Sequence, residues 1–117
     1  MTTLAEARAA LVTAVGAVDD YSDTTGCMVF SEGSPLSPVY GDGSVIWRWR
    51  VACYVGFRNN SGTSDIELGE LVAAKVVILL GLAGWSLDGV SPAGTTQISG
   101  NDSLAADIAV STKITLA

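Results

Sequence analysis

The chain predicts a two-layer α+β domain: an antiparallel-rich sheet with two helices on one face, in the order α-β-β-α-β-β. Three observations lead there. Apolar residues recur at helical spacing from Thr3 to Val18 and again from Ser64 to Leu82. Apolar and polar residues alternate from Val45 to Phe57 and from Leu104 to Leu116. A striped helix and a one-sided sheet each need a partner layer, and packing both helices on the sheet's apolar face covers every stripe. The 117 residues amount to one domain, with no internal repeat or linker, so residues 1–117 are read as a single unit.

In the first helix, Leu4, Ala7, Leu11, Val12, Val15 and Val18 form the apolar stripe. Thr3 followed by Glu6 fits a capping box, with the Thr side chain on the N3 amide and Glu returning to the cap amide. Asp19 and Asp20 oppose the helix dipole at its far end, so the helix is expected to stop there. Cys27–Phe30 is a short apolar strand. Ser31–Gly43 follows as a loop with two Pro and three Gly, and a loop of that length is usually functional or disordered. Pro35, Leu36, Val39 and Tyr40 make it a candidate interface that orders against a neighbour.

The clearest strand, Val45–Phe57, has one uniformly apolar face carrying Trp47 and Trp49. Its other face is mixed and carries Arg48 and Arg50, with Tyr54 further along. Fully extended it spans roughly 43 Å, so it should bend near Gly56 or project beyond its domain. The two Trp belong to the core. The two Arg are read as a solvated or interface-paired face, with Asp107 their partner across the sheet if those strands pair.

Asn59–Thr63 turns the chain, and Ser64 should cap a second helix, with Asp65, Glu67 and Glu70 in its early turns. Gly81 and Gly84 are its exit residues. Because apolar residues go almost all round it, this helix should be buried more deeply than the first, in the core or in a subunit interface. Strand pieces are expected at 85–90 and 95–98, with a turn at 100–102. In the last strand Leu104, Ala106, Ile108, Val110, Ile114 and Leu116 face inward, and Asp107, Ser111, Lys113 and Thr115 outward.

Composition excludes several functions. The chain is 49% apolar and only 15% charged, which rules out a disordered tail. Twelve acidic and six basic residues give a net charge of −6, so there is no electrostatic drive toward nucleic acid. There is no His, which removes the commonest general base, metal ligand and nucleophile partner. Cys27 and Cys53 lack CxxC spacing. The N-terminus does not read as a secretory signal, so both are expected to be buried thiols in a reducing compartment. The apolar run Leu71–Trp85 is shorter than the ~20 residues of a membrane span and is interrupted by Lys75. Asp19, Asp20 and Asp23 lack the EF-hand pattern, and Gly84, Gly89 and Gly94 match no phosphate-binding loop. The expectation is no catalytic, metal or cofactor site, and no membrane.

An amphipathic first helix, a short strand, a Pro-containing loop, a long strand reading Trp-Arg-Trp-Arg-Val-Ala-Cys-Tyr-Val, a buried helix and a final alternating strand together resemble the tail-terminator (tail-completion) proteins of long-tailed phages. The resemblance covers nearly the whole chain and rests on order and pattern. It implies a virion structural protein, not an enzyme. Such a protein forms a ring, commonly hexameric, that caps the tail tube, ends its polymerisation and joins tail to head. The implied partners are further copies of the chain, the tail tube protein and the head–tail connector or neck proteins. Genome DNA passes through the lumen without sequence-specific binding, as an acidic or neutral bore would favour. The implied location is the tail or neck of the virion, assembled in the host cytoplasm. Head-closure and other connector proteins share this style. A small soluble binding domain using the 31–43 loop is the reading from a different class.

Overall fold

A computed structural model describes residues 3–17, 25–33, 44–56, 61–91, 94–98 and 101–115. Helix α1 spans Leu4–Val15. Thr3 is its cap as expected: the Thr3 Oγ1 accepts the Glu6 amide at 3.2 Å. The Glu6 carboxylate in turn accepts the Thr3 hydroxyl at 3.2 Å, rather than reaching the cap amide. The helix ends at Gly16, earlier than the expected stop at Asp19–Asp20. Gly16 adopts the left-handed conformation (φ +65°), and the amides of Gly16 and Ala17 both close on the Val12 carbonyl. A glycine that costs nothing at positive φ decides the end before the helix dipole does.

Among the described residues five strands follow, all paired antiparallel: β1 (Thr25–Gly33), β2 (Ser44–Gly56), β3 (Trp85–Val90), β4 (Gly94–Ile98) and β5 (Asn101–Thr115). The order across the sheet is β1-β2-β5-β3, and β4 pairs with β5 further along the same edge as β3. The sheet is thus four strands wide, and the α-β-β-α-β-β plan holds with its fifth element split in two. β2 does not leave the sheet near Gly56. It stays in register with β5 from Ser44↔Thr115 to Gly56↔Ser103, and the molecule is drawn out to 54 × 25 × 25 Å.

Both helices lie on one face of the sheet. The core forms there from Cys27 and Val29 of β1, Val45, Trp49, Val51, Cys53 and Val55 of β2, and Ala106, Ile108, Val110 and Ile114 of β5. Ala7, Leu11 and Val15 of α1 close it from above, with Leu68 and Leu79 of α2 (Ser61–Leu80). Each fully buried Leu, Ile or Val contributes roughly 1.5–3 kcal/mol. These are the inward positions that the alternation assigns. Trp47 is half-buried at the margin, where its Nε1 donates to Ser31 Oγ at 2.8 Å.

Cys27 and Cys53 are direct register partners on β1 and β2, both buried as free thiols. Cys27 Sγ donates to the Val15 carbonyl at 3.5 Å, tying β1 to the end of α1. Burial pushes the Cys53 thiol up from the usual 9.0 to about 12, reinforced by the neighbouring Cys27, and burial raises Cys27 too.

Helix α2 departs from expectation in two ways. It starts at Ser61, so Ser64 is an internal position and no acid lies in the first turn. It is also not the more deeply buried helix. Leu68 and Leu79 face the sheet, but the side turned away from it exposes Ile66 (64%), Val77 (70%) and Leu80 (67%). One sheet covers only one side of a helix that is apolar all round, and no other element of the chain covers the rest among the described residues. No helix among the described residues is long and apolar enough to cross a membrane.

Candidate functional site

The face of the sheet opposite the helices is built from the alternate residues of the same strands. β1 contributes Met28 and Phe30, β2 contributes Arg48, Arg50, Ala52 and Tyr54, and β5 contributes Asp107 and Ala109. One end of this face is sealed locally. Tyr54 lies opposite Gly26, and a Cβ at Gly26 would come within 3.1 Å of the Tyr54 hydroxyl, so the ring occupies the space a side chain would take. Tyr54 is accordingly only 1% exposed on what is otherwise the open face.

The Arg pair forms the centre. Arg50 Nε lies 2.8 Å from Glu32 Oε1, an ion pair whose N–H is not aligned for a full hydrogen bond. Its NH1 lies 3.6 Å from Asp107 Oδ2, and its guanidinium stacks 4.5 Å above the Phe30 ring. Asp107 is therefore the cross-sheet partner that the strand pattern suggests, reached on the diagonal: Arg50 faces Ala109 directly, and Asp107 faces Ala52. Ser91 fixes Asp107 from the side, its Oγ accepting the Asp107 amide and its amide donating to the Asp107 carbonyl, each at 2.8 Å.

Arg48 is held more loosely. Its Nε is 3.8 Å from Asp88 Oδ2, and its side chain is 54% exposed. Asp88 also accepts the Ser111 hydroxyl at 3.3 Å.

Glu32 and Asp88 reach the Arg pair because each sits in a β-bulge, between Ser31 and Gly33 on β1 and between Leu87 and Gly89 on β3. A bulge inserts one residue and re-aims its side chain. Gly33 makes the first turn possible with φ +84°, a conformation other residues adopt only with strain. Sequence reasoning missed both acids. The available signal was the repeated acid–glycine pair, Glu32-Gly33 and Asp88-Gly89, inside otherwise strand-like runs.

Between these groups lies a hollow of 330 Å³, lined by Glu32, Gly33, Arg48, Arg50, Gly89 and Asp107 among others. Its glycines leave its floor open, and its rim is charged. The structure thus brings Arg48, Arg50 and Asp107 together, while Pro35, Leu36, Val39 and Tyr40 lie outside the described residues. Guanidinium groups and carboxylates can orient a charged partner. Among the described residues, no group of three or more Cys, Asp or Glu is placed to hold a metal ion. No protein-family model matches the chain, and no curated protein is similar to it.

Proposed function

We propose that this protein is a self-assembling virion structural protein of the tail-terminator type, a ring that caps a phage tail tube and joins it to the neck. The observation that carries the reading is the bare apolar side of α2, where Ile66, Val77 and Leu80 are each more than 60% exposed. A free monomer gains nothing from such a stripe, whereas an assembled subunit buries it. The open sheet face, with its bulge-anchored ion pairs, supplies a second surface, and a head-to-tail ring needs two different ones per subunit.

Negative-stain imaging of the purified protein, alone and mixed with polymerising tail tube protein, tests the proposal. Rings of uniform diameter, and tubes that stop growing and carry the protein at one end, are expected. Tubes that elongate equally with and without it, and are never decorated at an end, would remove the tail-terminator reading.

A further inference from the structure

We infer that the bare side of α2 on one copy seats in the charged hollow on the open sheet face of the next, with Glu70 meeting Arg48. The inference rests on the self-assembly reading above and adds which two surfaces meet.

The side of α2 turned straight away from the sheet is Ile66, Glu70, Ala73 and Val77, flanked by Leu80 and Gly81, all exposed. Glu70 is the single charge in this apolar line, and it makes no ion pair among the described residues. On the other face, Arg50 is compensated twice, by Glu32 and Asp107, but among the described residues Arg48 has one ion-pair contact, at 3.8 Å, and is half in water. A carboxylate arriving from outside takes over Arg48 from the distant Asp88, as the close, two-pronged partner its fork geometry favours. The small residues Gly33, Gly89 and Ala109 leave a depression beside it into which apolar side chains on either side of Glu70 can fit. The dimensions agree: twenty residues of helix are about 30 Å long, and the sheet face runs along a molecule 54 Å in length. One chain therefore carries both complementary halves. Because the two surfaces differ, the contact is head-to-tail, and it closes into a ring when the rotation permits.

A membrane surface fits the stripe poorly. Helices that lie on membranes line their polar side with Lys and Arg. The exposed residues of α2 include Glu70 and no cation, since Lys75 is only partly exposed.

The test is a charge swap read by sedimentation velocity over a concentration series, with thermal melts showing that each variant is folded. Glu70→Arg and Arg48→Glu should each weaken association about tenfold or more, and the double variant should recover most of it. Val77→Asp, at a position that faces solvent in the monomer, should abolish association and melt as the dissociated wild type does at low concentration. Assembly that survives both single swaps and Val77→Asp would overturn this contact while leaving the ring reading intact. Singles that fail without rescue by the double would overturn the Glu70–Arg48 pairing. A wild-type chain that stays monomeric at every concentration and on tail tubes alike, or that binds lipid vesicles through Val77 instead, would overturn both.

Discussion

Trp49 is 2% exposed, yet its indole N–H finds no acceptor among the described residues. The side chain is therefore held by packing alone, against the cost of a buried, unmade hydrogen bond. Trp49→Ala should lose roughly 3–5 kcal/mol, a usual loss for a truncated buried aromatic. Trp49→Phe keeps most of the ring and removes the stranded donor, so its urea midpoint should stay much closer to wild type. Equal losses for the two would mean that the indole nitrogen is satisfied after all.

Cys53 makes a prediction in pH. Its folded thiol is pushed up to about 12 from 9.0. Above pH 9 the unfolded chain releases this proton while the folded chain keeps it, so stability is full below pH 9 and falls as pH rises toward 12. The slope approaches about 1.4 kcal/mol per pH unit for one such group. Denaturant unfolding from pH 8 to 11 should show that decline, and Cys53→Ala should flatten it around a lower starting stability. Arg50 sits between these cases, part-exposed but paired on both sides. Arg50→Ala should cost about 1 kcal/mol, and Arg48→Ala no more than about 0.5.

At the scale of the element, period was the readable quantity and local irregularity was not. The alternation from Val45 to Val55 and from Leu104 to Ile114 assigned the inward residues correctly, because a strand's side chains cannot depart from period two without breaking the ladder. The two bulges are such breaks, and they place Glu32 and Asp88, which no alternation could assign. Ends of helices were also decided locally: Gly16 stops α1 before Asp19 can act. Of the candidate site, Arg48, Arg50 and Asp107 were legible because they share a face at fixed spacing. Their acidic partners on β1 and β3 depend on strand order, which sequence pattern leaves open. The bulge itself is testable. At Gly33 an added Cβ meets nothing within 4 Å, so Gly33→Ala is opposed only by its positive φ. It should cost about 1–2 kcal/mol and loosen Glu32 from Arg50. A hydrogen-exchange map should show the change at residues 31–33 and 48–50 and leave the helices untouched.

Over the whole molecule, a sheet with helices on one side leaves two surfaces without an intramolecular partner among the described residues. One is an apolar helix side, the other a sheet face whose charges are drawn together by bulges on both flanking strands. Burial of both on neighbouring copies, as proposed above, would account for the nearly all-round apolarity of α2 and the high apolar content. Native mass spectrometry of the wild-type chain beside Val77→Asp tests this most directly. The wild type should give one closed multiple of 12.0 kDa, and the variant, folded by circular dichroism, should give 12.0 kDa alone. A wild type that appears only as the 12.0 kDa monomer, or a variant that assembles just as well, would contradict it.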